Sequence, residues 1–143
     1  MHISRVVIVT DEIYAAFQRL IPQLTTNVPP PTRADLDELV AFAGSTLLAA
    51  RISEDSPIVG VATLSLVRAP TGVHARLEDV VVENAARGQG IGAALTAEVI
   101  RLAREMGANF LALTSNPRRE AANRLYQQQG FKRWQTNVYR LDL

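Results

Sequence analysis

A glycine-rich segment between an apolar run and a long amphipathic stretch constrains the fold of this chain more than any other feature. Val80-Val81-Val82 ends a predicted strand, and Arg87-Gly88-Gln89-Gly90-Ile91-Gly92 follows shortly after it. Apolar residues then recur at helical spacing over residues 91–106. Glycines let a backbone approach a ligand closely, and the free amides at a helix start favour a phosphate. The segment therefore predicts a strand–loop–helix unit that binds a phosphorylated ligand.

The residues of this loop leave other interpretations open. Gly88-Gln89-Gly90-Ile91-Gly92-Ala93 fits a loose dinucleotide-binding pattern, which normally opens the first βαβ unit of a fold. That pattern also requires an acidic residue about 20 positions further on, whereas the next predicted strand ends in Thr114-Ser115-Asn116. A Walker loop is excluded because no Gly-Lys-Ser/Thr follows. A connecting turn with incidental glycines is the interpretation that needs no ligand.

The hydrophobic periodicity of the remaining chain predicts alternating helices and strands. Thr10 and Asp11 are the candidate caps of the first helix, and Thr32 caps the second with Asp35 at the capping-box position. Pro22 is assigned to the loop between these helices. Asn116 precedes Pro117 as the cap of a last helix, which ends near residue 129 before Gly130. Strands are predicted over residues 3–9, 46–52, 58–67, 75–82 and 110–114, with one or two more between 134 and 141.

Composition excludes several classes of protein. The net charge of +1 and the lack of a basic stripe argue against a nucleic-acid partner. The chain has no cysteine, and His2 and His74 are isolated, so no metal site is expected. Neither a signal-peptide pattern nor an apolar run of about 18 residues is present, so we expect a cytoplasmic protein without a membrane partner. Its length fits a single domain over residues 1–143.

Two motifs identify a resemblance to a known family. Leu77-Glu78-Asp79-Val80-Val81-Val82 followed by Arg87-Gly88-Gln89-Gly90-Ile91-Gly92 resembles motif A of the GNAT acetyltransferases. Asn123-Arg124-Leu125-Tyr126 with Gly130-Phe131 resembles their motif B, and the Glu-Asp pair is similar to the glucosamine-6-phosphate N-acetyltransferase branch. The resemblance implies an α/β fold, with a mixed, largely antiparallel sheet flanked by helices on both faces. It also implies transfer of acetyl from acetyl-CoA to a primary amine.

The resemblance further implies which residues bind acetyl-CoA. The amides of residues 88–92, with Arg87, would hold the pyrophosphate, and the backbone of Val80, Val81 and Val82 would pair with the pantetheine arm. The family usually has a bulge in this strand, which would make the Val81 or Val82 amide the oxyanion donor. Asn116 and Asn123 are further candidates for cofactor contacts. Arg118, Arg119 and Arg124 either meet the 3′-phosphate or form a solvated helix face.

The catalytic candidates are one phenol and two carboxylates. Tyr126 occupies the motif B position of a general acid for the departing thiolate, and its structural alternative is packing under the Gly130 cap. Glu78 and Asp79 alternate on one strand, so one can face the substrate while the other pairs with a basic group. Glu78 is the first candidate base, Asp79 the alternative and Glu83 a weaker third. Many GNAT enzymes use no single dedicated base.

The acceptor is predicted from loop chemistry alone. Pro29-Pro30-Pro31 stiffens the connection between the first two helices, which suits the wall of a compact pocket for a small-molecule amine. The alternatives are a protein or peptide acceptor and a non-catalytic acyl-CoA-binding regulatory module. A homodimer formed through C-terminal strands is implied by the resemblance, with Trp134 either in the core or at that interface.

Overall fold

The strands of the protein form one five-stranded sheet. In the computed structural model, which describes residues 1–143, the spatial order is the chain order β1-β2-β3-β4-β5. Neighbouring strands are antiparallel except β4 and β5, which are parallel. The strands are β1 (His2–Arg5), β2 (Ser45–Arg51), β3 (Ile58–Ala69), β4 (Gly72–Val82) and β5 (Phe110–Ala112). The central three form the predicted antiparallel meander.

Four helices connect and cover these strands, and none has the length and apolarity to cross a lipid bilayer. They are α1 (Asp11–Leu24), α2 (Arg33–Ala41), α3 (Ile91–Glu105) and α4 (Glu120–Gln128). Two predicted caps are confirmed. The Thr10 hydroxyl accepts from the Ile13 amide at 3.2 Å, and Thr32 and Asp35 form a reciprocal capping box. These contacts fix where α1 and α2 begin.

Alternate residues of the sheet pack into two separate hydrophobic cores. One face packs on α1 and α2 through Phe17, Leu20 and Leu36, together with Leu47 and Val61 of the sheet. The opposite face packs on α3 and α4 through a second group, Leu48, Leu64, Leu77, Leu95, Val99 and Tyr126. Strand side chains alternate between faces, so β2, β3 and β4 contribute to both cores. The predicted α/β fold with helices on both faces is confirmed.

Two predicted helix boundaries are wrong. Pro22 lies inside α1, not in the following loop. The missing proline amide removes only one bond in the last turn, while Ile21 and Leu24 still pack against the core. The last helix begins at Glu120 rather than at Asn116. Asn116 instead closes a turn, in which its Oδ1 accepts from the Arg118 amide and its carbonyl from the Arg119 amide.

The predicted C-terminal strands are absent. Gly130 adopts the expected left-handed cap at φ +96°, and the Phe131 ring packs edge-on against Tyr126 at 5.8 Å, as predicted. Beyond that contact the C-terminal tail, residues 132–143, forms no strand. A strand requires a neighbouring backbone, and no backbone hydrogen bond joins the tail to the sheet. Trp134 is 79% exposed, so it does not belong to the core.

Candidate active site

The glycine loop forms an open cradle at the start of α3. Gly88 and Gly90 have φ of +76° and +82°, the left-handed region that glycine enters most readily. A Cβ added at either position would meet no atom within 4 Å, so the space beside the backbone is free for a ligand. The Gly90 carbonyl accepts from the Ala94 amide at 3.0 Å, so the preceding helix amides lack intrahelical partners. The loop can therefore bind a phosphate group.

The last part of β4 offers an unpaired edge beside this cradle. The β4–β5 register runs only from His74–Phe110 to Arg76–Ala112, and the two strands separate beyond it. Glu83 donates its amide to the Val59 carbonyl at 2.8 Å, towards β3. Because strand backbone groups alternate in direction, the Val82 amide and carbonyl point to the open side. Arg87 already uses this side, where its Nε donates to the Val82 carbonyl at 3.3 Å.

A β-bulge interrupts β4 two residues before the end of this open edge. Thr63 pairs with Glu78 and Val61 with Val81, so Asp79 and Val80 have no cross-strand partners in the register. Asp79 has φ +50° and is the one non-glycine residue of the chain with positive φ. Aspartate tolerates this region better than most residues, yet the conformation remains uncommon. The bulge therefore turns one carboxylate out of the regular alternation of the strand.

The bulge separates the environments of the three candidate carboxylates. Glu78 pairs with Arg76 at 2.7 Å, and Glu83 pairs with Arg19 at 2.6 Å. Hydrogen bonds from Arg19 and Gln23 hold the pKa of Glu83 below its usual range, as expected for a structural ion pair between α1 and the end of β4. Asp79 makes no such pair. Asp79 is exposed as a residue, but partial burial of its carboxyl raises its pKa, and the adjacent Glu78 charge acts in the same direction.

Asp79 lies at a cavity of about 410 Å³ between α1, α2 and the sheet. The size falls within the range of small-molecule sites. Its lining comprises Phe17, Ile21, Val28, Pro29, Pro31, Asp35, Leu36, Leu39, Thr63 and Asp79. A larger concavity of about 570 Å³ is bounded only by five successive residues of the tail, 133–137, and brings no separate elements together.

Tyr126 is buried on the other face of the sheet. Its hydroxyl makes no hydrogen bond within the chain, although only 8% of the residue's surface is exposed. Burial raises the pKa of the phenol, with a smaller opposing effect from the Arg119 charge. The group is therefore protonated at neutral pH and can donate a hydrogen bond to a ligand.

Sequence reasoning missed Ser115. Its hydroxyl oxygen is buried and has no hydrogen-bond partner, which is unusual in a folded protein. The residue follows β5, at the end where β5 has separated from β4. A polar residue directly after a short apolar strand is a weak signal, and only the unsatisfied oxygen marks this position.

The other predicted cofactor residues occupy the connection before α4. The Asn123 amide donates to the carbonyls of Asn116 and Arg119, at 2.9 and 2.8 Å, and so supports that turn. Arg118, Arg119 and Arg124 are exposed and form no salt bridge. These arginines are available to bind a phosphate, but no salt bridge within the protein fixes the positions of their side chains.

Comparison with known families places this geometry in context. The sequence model described as the acetyltransferase (GNAT) family matches residues 12–131. The chain belongs to the GNAT family. A search of curated proteins finds no significant match.

Solved GNAT-like structures cover nearly the whole chain. A Trypanosoma brucei acetyltransferase is 26% identical with a TM-score of 0.78, and the alignment covers 99% of each chain. An aminoglycoside acetyltransferase from an uncultured soil sample, solved with sisomicin, is 18% identical with a TM-score of 0.80, covering 99% of this chain and 95% of that one. A transcriptional regulator from Bacillus halodurans C-125 is 24% identical, with a TM-score of 0.77 and coverage of 99% and 100%. The latter two show the fold alone.

Membership of the GNAT family makes this protein an acetyltransferase, and GNAT enzymes use acetyl-CoA as the donor. Three features of the chain fit that donor. They are the open glycine cradle, the unpaired edge of β4 and the unsatisfied Ser115 hydroxyl. The first suits a pyrophosphate, and the other two suit the amides of an extended pantetheine arm.

Proposed function

We propose that this GNAT protein transfers acetyl from acetyl-CoA to the primary amine of a small molecule, by direct attack in a ternary complex. One observation carries the proposal. The bulge in β4 places Asp79 at the small cavity while its neighbours Val80 and Val82 belong to the unpaired strand edge. An acceptor in the cavity and a donor on the strand edge can therefore approach each other at Asp79.

The donor side is built mainly from backbone groups. The amides of residues 88–92 and the Arg87 guanidinium bind the pyrophosphate, and Val82 pairs with the pantetheine arm as an added strand would. Val80 lies in the bulge without a register partner, whereas Val81 and Val82 are both paired with β3, so the Val80 amide replaces those of Val81 and Val82 as the proposed oxyanion donor. Ser115 lies beyond the point where β5 and β4 separate, and its hydroxyl forms a hydrogen bond to the bound donor.

The acceptor side carries the acid–base chemistry. The amine nitrogen bonds to the thioester carbon as the carbon–sulfur bond breaks. Asp79 is proposed to take the proton of the attacking amine, because it faces the cavity while Glu78 pairs with Arg76. Tyr126 is proposed to give its proton to the departing thiolate, since its hydroxyl has no other partner. A carboxylate with a raised pKa is a stronger base than usual, which suits the first role.

Release of free coenzyme A thiol from acetyl-CoA, measured against a panel of small amines and lysine-containing peptides, tests this function. We expect turnover with at least one class of small amine. Efficient turnover restricted to peptides would show that the acceptor is a protein and not a small molecule. Tight acetyl-CoA binding without turnover of any amine would favour the alternative of a non-catalytic acyl-CoA-binding regulatory module.

We expect the ionised Asp79 carboxyl to lower the stability of the folded protein although the proposed reaction requires it. Its folded pKa is raised, so the ionised carboxyl destabilises the fold above that pKa and the cost disappears as the group protonates. Asparagine tolerates positive φ equally well, so Asp79→Asn removes only the charge. We expect a higher Tm than wild type at about pH 8, a smaller gain near pH 4 and a fall in kcat/KM. Thermal denaturation at both pH values and thiol release measure these effects.

Asp37→Asn is the matched control, because Asp37 is an exposed carboxylate on α2 outside the cavity. It should shift neither quantity. A lower Tm for Asp79→Asn at pH 8 would contradict the assignment of a desolvated charge.

We also propose that the C-terminal tail joins two copies of the chain. Four of its side chains, Val138, Tyr139, Leu141 and Leu143, are at least 74% exposed, and so is Trp134. β5 is one of the two edge strands of the sheet, and its Phe110 is half exposed. The tail of one copy would pair with β5 of another and cover both apolar groups. Replacing Leu141 and Leu143 by Ser should convert a dimer to a monomer in light scattering, whereas a monomeric wild type would contradict the proposal.

A further inference from the structure

The walls of the acceptor cavity are mostly hydrocarbon. Side chains of α1 and α2 and the proline-rich connection between them supply these walls, as described above. Only Thr63, Asp35 and Asp79 bring side-chain polar groups to the lining. An acceptor with many hydroxyls would therefore lose water without gaining enough hydrogen-bond partners. The lining favours an acceptor with an aliphatic body over an amino sugar.

The charge of the cavity has one sign. Asp35 and Asp79 are both acidic, and no Lys, Arg or His lines the space. The basic residues adjacent to these positions are already engaged, since Arg33 binds Asp11 and Arg76 binds Glu78. A phosphate or carboxylate on the acceptor would find no cationic partner and would face two like charges. The cavity thus disfavours anionic amines, including amino acids and sugar phosphates.

Asp35 has the properties of a fixed anionic contact. Its Oδ2 accepts from the Thr32 amide at 2.8 Å, as the capping box requires, while Oδ1 makes no hydrogen bond within the chain. The carboxyl is held at the first turn of α2, where the positive end of the helix dipole also favours the ionised form. Asp35 and Asp79 are both exposed as well as part of the lining, so both carboxylates lie where the cavity meets solvent. Asp79 belongs to β4 and adjoins its reacting edge, whereas Asp35 belongs to α2.

We infer that the acceptor is an aliphatic amine with a second positive charge and no anionic group, the class of α,ω-diamines, and that Asp35 binds the second ammonium. This assignment rests on the proposed function, because it names the acceptor of that same site. The reacting nitrogen loses its proton to Asp79 and attacks the thioester carbon. The distal nitrogen stays protonated on Asp35, while the aliphatic chain lies against the hydrocarbon walls.

Three amines of similar length test the charge requirement. Cadaverine carries two amines, n-pentylamine one, and δ-aminovalerate one amine and one carboxylate. We expect kcat/KM for cadaverine to exceed that for n-pentylamine by about tenfold at low ionic strength, and δ-aminovalerate to fall about tenfold below the monoamine. The preference for the diamine should shrink as salt is added. Equal rates for cadaverine and n-pentylamine, or a faster rate for δ-aminovalerate, would overturn the inference.

The variant Asp35→Asn tests the residue. Asparagine retains an oxygen that can accept from the Thr32 amide, so the capping box and the fold are preserved. We expect the cadaverine to n-pentylamine ratio to fall towards unity. Asp37→Asn, which removes one exposed charge from the same helix outside the cavity, should leave the ratio unchanged. A ratio that responds equally to both variants would show general charge attraction in place of a contact.

Failure of this inference and failure of the proposed function give different results. Turnover of neutral or anionic amines without preference for cadaverine contradicts the diamine assignment and leaves acetyl transfer intact. If no amine is acetylated, acetyl transfer to small amines fails, and calorimetric titration with cadaverine then decides the inference. Binding of cadaverine that Asp35→Asn weakens about tenfold supports it, whereas no binding to the wild-type protein overturns it.

Discussion

Replacing Gly90 by Val is expected to weaken acetyl-CoA binding about tenfold or more, which corresponds to about 1.4 kcal/mol. Gly90 has φ +82° and caps α3, and the space beside its Cα is empty. A branched side chain would occupy the space that the pyrophosphate requires and would strain the left-handed backbone that aims the following amides. Isothermal titration with acetyl-CoA measures the loss.

Gly107→Val provides the matched control. Gly107 lies at the other end of α3 with φ +77°, and a Cβ there also meets no atom within 4 Å. Both variants should therefore suffer a similar backbone strain and a similar fall in Tm. Only Gly90→Val should lose the donor. Equal affinities for the two folded variants would contradict the assignment of the loop.

Replacing Tyr126 by Phe is expected to lower kcat by on the order of 10²–10⁴-fold, the usual contribution of a general acid. The hydroxyl makes no hydrogen bond within the chain, so its removal leaves no protein partner unsatisfied. The ring remains packed against Phe131 and the core formed with α3. We therefore expect little change in Tm or in acetyl-CoA affinity, and a fall confined to the chemical step in single-turnover measurements.

Tyr14→Phe controls for the loss of a phenol elsewhere. Tyr14 packs against the other core and does not line the acceptor cavity. It should retain wild-type kcat. If Tyr126→Phe also retains wild-type kcat while chemistry limits the rate, the tyrosine has only a packing role beneath the Gly130 cap.

Features set by contacts between close neighbours in the chain were predictable. The Thr32–Asp35 capping box and the Gly130–Phe131 cap each depend on residues within about five positions of each other, and both are confirmed. The meander is likewise signalled by turn residues between adjacent strands. The local alternation of side chains also indicated that one of the paired carboxylates would meet a basic group.

The family resemblance implied a bulge in β4, but its position could not be predicted. Regular alternation cannot reveal that Asp79 takes positive φ, because the position of the bulge is defined by the pairing of β4 with β3. The same pairing leaves Glu78 beside Arg76 and Asp79 at the cavity. The prediction of C-terminal strands was wrong for a related reason. Its sequence is compatible with a strand, but strand formation depends on a partner edge that local sequence does not specify.

The division of the interior into two cores affects how this enzyme can change over evolution. The helices α1 and α2 that wall the acceptor cavity pack on one face of the sheet, while the helix that follows the glycine loop packs on the other. Substitutions that share no neighbours usually have additive effects on stability. Mutations that reshape the acceptor wall can therefore accumulate without disturbing the packing behind the donor loop. New substrate preferences can arise in such a scaffold while the ability to use the same acetyl donor is inherited intact.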